Sequence, residues 1–327
     1  MSRSSRIVPF ILIFLLAGVS RAEWKKYPSG TMAWLHAIHF VDDRKGWIVG
    51  SRGTLLSTED GGETWVAAKK FTQDTIRDVY FSDPLHGWLL CEGSIFGSGD
   101  SVSYLMITVD GGKTWQRKEA FKGRDRVVRI FFMNSNFGCA VGEGGAVWCS
   151  VENEESWRKY PLPVRYLMLD GRILADKTLV LVGGGGTALR TDDWGANWAL
   201  ATTPAANRAK VNSVFFADEK KGWAVGAEGK ILFTQNGGQS WGLQTTPVRS
   251  ELTDVSFYSA TSGYAVGDNG TVVSTSNSGK DWSVEPTETK HRLESVSTSK
   301  SRAVAIGFGG IILVNELGKE NSKEITQ

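Results

Sequence analysis

The chain of 327 residues carries 37 basic and 35 acidic residues, a formal net charge of +2, and is 41% apolar and 22% charged. That composition can bury a sizeable core and is too apolar for a disordered chain, and the near balance of charge removes any bulk electrostatic case for nucleic acid. Gly is frequent at 38 and Pro scarce at 8, which suits many short strands joined by Gly turns and argues against low complexity.

Residues 1–22 read as a secretory signal. Arg3 and Arg6 form a positive start, Ile7 to Val19 is a short apolar run, and Ser20-Arg21-Ala22 places small residues before a cut. The run is shorter than the ~20 residues of a membrane span. No Cys follows it and the two arginines are not adjacent, so neither a lipid anchor nor a twin-Arg signal is indicated. The expectation is an exported, periplasmic protein (or its thylakoid-lumen equivalent in a photosynthetic host) with no stable membrane insertion after cleavage. Loss of the three arginines of this segment leaves 34 basic against 35 acidic residues.

From Gly46 to Trp65 the chain reads GWIVGSRGTLLSTEDGGETW, and close copies run from Gly222 to Trp241 and from Gly263 to Trp282. Weaker copies end at Trp157 and Trp198, and one with an insertion ends at Trp115. The closing Trp residues fall at intervals of 50, 42, 41, 43 and 41. Each copy reads as four short strands: in the first, a is 34–41, b is 46–49, c is 54–58 and d is 64–69. Four-stranded units at this period are the blades of a β-propeller.

The two ends supply the count. After Trp282 come strands a, b and c at 291–298, 302–306 and 311–314, with no closing Trp. The missing ending lies at the front, where Glu23-Trp24-Lys25-Lys26-Tyr27-Pro28 resembles Ser156-Trp157-Arg158-Lys159-Tyr160-Pro161. The prediction is an all-β, seven-bladed propeller over 23–318 whose last blade is closed by the N-terminal strand. The chain turns polar from Asn315, and 319–327 is assigned to a frayed tail. In blade two the insertion around Cys91 to Asp100 reads as a flexible loop. Of the three cysteines, Cys139 and Cys149 flank one hairpin. They are read as two small buried apolar residues, with cross-strand pairing as the alternative.

The closing turn follows Ser/Thr-x-Asp-x-Gly-x-x-Trp, the Asp box, in Asp60/Trp65, Asp110/Trp115 and Asp193/Trp198, with Asn at Asn236/Trp241 and Asn277/Trp282. Glu152 and Glu154 degrade the third copy. An acid that Asn can replace is a hydrogen-bond acceptor and not an acid catalyst. Nothing else in the chain assembles a catalytic signature, and His36 and His39, three apart on a strand, point to opposite faces. No catalytic residue, metal or cofactor is expected.

The repeat Gly-Trp-x-Val-Gly-x-x-Gly-x-Leu/Ile-x-x-Thr-x-Asp/Asn-Gly-Gly-x-Ser/Thr-Trp resembles that of the photosystem II stability/assembly factor family. The resemblance implies a seven-bladed propeller that is not an enzyme, binds newly made reaction-centre subunits, and has an arginine-rich face. In a non-photosynthetic host it implies assembly or scaffolding of an envelope complex. The alternative is a glycan-binding or sialidase-like Asp-box propeller, although the early Arg-Ile-Pro motif of sialidases is missing.

Propeller topology puts the d-to-a and b-to-c connections on one face and the Asp-box turns on the other. The d-to-a stretches 25–36, 66–77, 116–129, 158–165, 199–210, 242–251 and 283–292 hold 19 basic and 6 acidic residues, and the Asp-box turns hold 3 basic and 11 acidic. The expected docking face is therefore basic. Its candidate residues are Arg52, Arg77, Arg117, Lys118, Arg124, Arg126, Arg129 and Arg165, and its expected partner is an acidic segment of a membrane-complex subunit, met by a monomer.

Overall fold

The computed structural model describes residues 23–94, 101–121, 126–151, 156–175, 177–204 and 208–317. The segments read as a signal (1–22) and as a frayed tail (319–327), together with Arg124, Glu152 and Glu154, lie outside the described residues. The chain forms seven four-stranded antiparallel sheets, and among the described residues no helix is long and apolar enough to cross a membrane. Blade 1 consists of Leu35–Phe40, Gly46–Gly50, Thr54–Thr58 and Val66–Ala67. Its fourth strand is shorter than expected because the Asp-box turn takes up residues 59–64.

The closure is as read from the two ends. Blade 7 contains Leu293–Thr298, Arg302–Gly307 and Ile312–Glu316, and Lys25–Tyr27 adds the outer strand, with Lys25 opposite Val314. The polar run read from Asn315 starts inside the blade. Asn315 is buried inside the third strand, where its Nδ2 donates to the Tyr264 hydroxyl at 3.3 Å.

Each blade has two apolar faces, so burial is shared. Among the described residues seven hydrophobic clusters occur, and each spans one pair of neighbouring blades, including the seam between blades 7 and 1. At three interfaces a stacked aromatic pair spans the gap. Trp47 stacks on Phe81 with ring centroids 3.4 Å apart, Trp88 on Phe132 at 4.1 Å, and Trp223 on Phe257 at 3.7 Å. In each pair the second strand of one blade meets the first strand of the next. The closing Trp meets the same ring edge-on from within its own blade, as in Trp115 on Phe81 and Trp282 on Phe257, both at 6.0 Å.

Two expectations about blades 2 and 3 are corrected. The blade 2 insertion lengthens a hairpin: Gly87–Ser94 pairs with Ser101–Thr108 over eight positions, so Cys91 and Glu92 are strand residues and the connection is 95–100. In blade 3, Cys139 lies directly opposite Cys149 and the two form a disulfide, with Cα atoms 4.1 Å apart. Both are buried, as expected, but as a covalent cross-strand link. Cys91 is free and buried, and burial pushes its thiol up to about 12.

Three outcomes follow from this packing. Trp47→Ala removes half of a buried inter-blade stack and should cost about 3–5 kcal/mol by chemical denaturation. Thiol titration of the unfolded, unreduced protein should find one group, rising to three after reduction. The His39 Nε2–H donates to the Phe81 carbonyl at 2.9 Å, and burial lowers its pKa from 6.5 to about 4. It stays neutral in the fold while the unfolded chain takes up a proton, so its contribution is complete above about pH 6.5 and is lost as pH falls towards 4. His39→Gln should therefore show a smaller drop in Tm between pH 6.5 and 4.5 than the parent protein.

Candidate docking face

The b-to-c turns and d-to-a connections interlock on one face. Ser51 donates its N–H to the Trp34 carbonyl at 2.9 Å, and Gly53 donates to Asp74 at 2.8 Å, so one turn ties the connections on both sides. Gly53 sits at φ 65°, and a Cβ at Gly50 would collide with the Trp34 carbonyl. The same N–H to carbonyl bond joins Glu143 to Arg126, Ala227 to Lys210, Asp268 to Glu251 and Phe308 to Arg292. The Asp-box turns bind the opposite connections, as Gly61 does to Arg44 at 2.8 Å.

All seven blades have a register shift at the start of the first strand, as between Leu35 and Ala37 or Ile76 and Asp78. A bulge re-aims the extra residue, here into the mouth of the central channel. His36, Arg77, Asn212, Thr253 and Glu294 make a polar arc, and Val128 and Leu169 an apolar one, around a cavity of about 260 Å³. Burial leads the causes that lower His36 to about 4, so it enters the mouth neutral.

The next residue inward forms a buried polar belt. Asp78, Asp170 and Asp254 occupy alternate blades, and each accepts an N–H from the following blade: Ile130 at 2.8 Å, Val214 at 3.0 Å and Val296 at 2.9 Å. Ser213 and Ser295 donate to the same carboxylates. Arg129 completes the belt, 3.4 Å from Asp78 and 3.7 Å from Asp170. Burial raises Asp78 to about 6, against the pull of Arg129.

Above the belt, cations and acids alternate. Glu92, on the lengthened hairpin, binds Arg77 and, at 2.8 Å, Arg126. These two hold its carboxyl below the usual range despite a burial that works the other way. Lys210 lies 2.7 Å from Glu251, and Arg292 pairs with Asp268 and, at 2.8 Å, with Glu294. The mouth is thus electrostatically matched within itself.

Of the eight basic residues singled out from the sequence, the seven that are described therefore separate. Arg77, Arg126 and Arg129 gather at the mouth as members of ion pairs, with Arg129 turned into the belt. Arg117 is on the outer strand of blade 2, its guanidinium 3.6 Å from the Tyr104 ring centroid and 2.7 Å from Glu119. Lys118 is exposed on the same strand, away from the mouth. Arg52, at φ 57°, and Arg165 are exposed on the loops of this face, without an ion pair among the described residues. So are Arg208, Arg249 and Lys290 on the later connections. A rim of unmatched cations surrounds a matched mouth. The sequence count missed this because Glu92, Glu143 and Asp268 come from the b-to-c hairpins.

The Asp-box side chains are engaged within their own turns. Thr58 donates to Asp60 at 2.7 Å, Asp60 accepts the Thr64 N–H at 3.0 Å, and the Thr58 oxygen accepts the Gly62 N–H at 2.9 Å. Asp110, Asp193, Asn236 and Asn277 repeat the pattern. Bonds from Thr64 and Thr58 outweigh burial and hold Asp60 at about 2. Among the described residues no group of three or more His, Cys, Asp or Glu is placed to hold a metal.

Comparison with known proteins agrees with this architecture. A 49-residue segment is 49% identical to the photosystem II stability/assembly factor HCF136, chloroplastic, of Cyanidioschyzon merolae, and covers 14% of this chain and 11% of that protein. The chain thus spans about a tenth of the length of the curated relative it matches. Over 91% of this chain and 96% of the other, the fold superposes on YCF48 bound to D1 peptide with a TM-score of 0.74 and 19% identity. It superposes equally on selenomethionine-substituted virginiamycin B lyase from Staphylococcus aureus, with a TM-score of 0.75 and 10% identity over 91% and 100% of the two chains. Those two likenesses concern the fold alone. The model of the photosynthesis system II assembly factor YCF48 family matches residues 17–74, 126–235 and 233–326, most of the chain, and the protein belongs to that family.

Proposed function

We propose that the protein is a non-enzymatic binding propeller that holds an acidic, extended segment of a membrane-complex subunit during assembly, on the face formed by the d-to-a and b-to-c connections. The observation that carries this reading is the rim of unmatched cations, with Arg52, Arg165, Arg208, Arg249 and Lys290 exposed around a mouth whose own charges are paired. Such a rim attracts and orients an acidic chain by long-range electrostatics, and the matched mouth resists swallowing a free ion. A family member bound to D1 peptide supports a peptide as the kind of ligand. In a photosynthetic host the client would be a reaction-centre subunit, and elsewhere a subunit of an envelope complex.

The chemistry of the remaining groups supports a binding role. The acids of the Asp boxes are saturated by their own turns, and those of the belt by backbone N–H groups of the next blade. An acid so occupied is committed as an acceptor to its own scaffold and is held away from the role of a general acid or base. The Cys139–Cys149 disulfide supports an exported location, because such bonds persist in oxidising compartments. This agrees with the signal pattern at residues 1–22.

The test uses the mature chain and a fluorescein-labelled synthetic decapeptide of alternating Asp and Ser. Binding read by fluorescence polarisation should weaken steadily as salt rises from 50 to 500 mM. The triple reversal Arg165→Glu, Arg208→Glu and Arg249→Glu should lower affinity at least tenfold while the thermal melt moves by no more than about 2 °C, as surface substitutions do. Unchanged affinity in the triple variant removes the rim from the reading.

A further inference from the structure

One part of the same face departs from the repeat. The first residue of the b-to-c turn is Ser51, Glu143, Gly184, Ala227 or Asp268 in other blades, small or polar each time, and Phe308 in blade 7. Phe308 is 48% exposed. Two positions before the bulge residue, Arg126, Lys210, Glu251 and Arg292 stand in blades 3, 5, 6 and 7, Thr75 and Leu167 in blades 2 and 4, and Trp34, the one aromatic residue at this position, in blade 1. Trp34 is 40% exposed. The two exceptions meet each other across the seam between blades 7 and 1, edge to face, with ring centroids 5.5 Å apart. His36 lies 5.4 Å from Trp34 on the channel side, and His291 lies 5.8 Å from Phe308 on the outer side.

The indole is held in place. Its Nε1 donates to Glu294 at 2.9 Å, and Glu294 is gripped in turn by Arg292 at 2.8 Å. The Trp34 backbone N–H donates to the Ser51 hydroxyl at 3.0 Å. A pre-oriented, half-exposed indole beside a second exposed ring is costly in water unless something covers it, and rigid aromatic anchors lose little entropy on binding. Single exposed aliphatic residues elsewhere on the surface need no such explanation; two touching aromatic rings make a contiguous patch.

The flanking residues indicate the occupant. Arg52 follows Ser51, and Lys290 precedes His291, so an exposed cation stands on each side of the aromatic pair. We propose that Trp34 and Phe308 form an anchor subsite for one large apolar side chain, aromatic or leucine-like, in an extended peptide with acidic residues on either side of it. This builds on the acidic-segment reading above and adds the residue that sets specificity. Acidic residues steer the peptide to the rim; the anchor selects which peptide stays.

The test compares two labelled decapeptides of alternating Asp and Ser, identical except that a central Ser is replaced by Phe in one. The parent protein should bind the Phe peptide at least tenfold more tightly. Phe308→Ser, which installs the residue that blade 1 carries at the same place, should bring the two peptides to equal affinity and leave the Ser peptide unaffected. Trp34→Ala should do the same, while Trp34→Phe, which keeps an aromatic face without the Nε1 donor, should retain part of the preference. Thermal melts report whether each variant is folded. Measurable but equal binding of both peptides to the parent protein, or a preference that survives Phe308→Ser, overturns the anchor alone. Binding of neither peptide overturns the acidic-segment reading and the anchor with it.

Discussion

Every blade of this protein is a sheet with two apolar faces, and neither can be buried by the blade itself. The stacked pairs Trp47–Phe81, Trp88–Phe132 and Trp223–Phe257 make the point in its simplest form, since each half belongs to a different blade. With one hydrophobic cluster per interface, a blade is stable only between two neighbours, and the arrangement has no open end once the ring closes. The polar belt obeys the same rule: Asp78, Asp170 and Asp254 each reach across an interface for a backbone N–H. Apolar and polar ties therefore act in the same direction, and the loops of the candidate docking face inherit a rigid base.

That rigidity divides the labour between the two faces. The Asp-box turns spend their side chains on themselves, so their acidity is structural. On the other face the bulge of each first strand frees one side chain from the blade packing and turns it into the channel mouth. The scaffold repeats sevenfold while the residue delivered differs in every blade, from His36 to Glu294. A repeat that is constant in its backbone and variable at one aimed position can acquire a ligand preference without a change of fold.

What was legible in the sequence was whatever lies within one repeat. Trp-to-Trp spacing located the blades, the similarity of Trp24-Lys25-Lys26-Tyr27 to Trp157-Arg158-Lys159-Tyr160 located the closing strand, and Asn at positions 236 and 277 marked the Asp boxes as structural. What lies between repeats was not legible. The partner of Trp47 is 34 residues away at Phe81, with no local pattern to link them. The acid that meets Arg77 and Arg126 is Glu92, in an insertion read as a loop, because an eight-residue pairing with 101–108 cannot be inferred from small polar residues alone. The same register dependence concealed the disulfide: one residue of slip would have turned Cys139 and Cys149 to opposite faces. The aromatic pair at the seam stood in plain view as Trp34 and Phe308, but only closure of the ring makes them neighbours.

The strand contributed by Lys25–Tyr27 pairs with Ile312–Glu316, segments from opposite ends of the chain. A strand made first must wait for one made last, so the ring cannot close on a partial chain. The contact with the greatest sequence separation is also the one that seals the final interface, a demanding topology for folding. A chain cut short anywhere before residue 312 therefore keeps an exposed edge and an unburied Trp24, the features by which quality-control proteases recognise unfinished proteins.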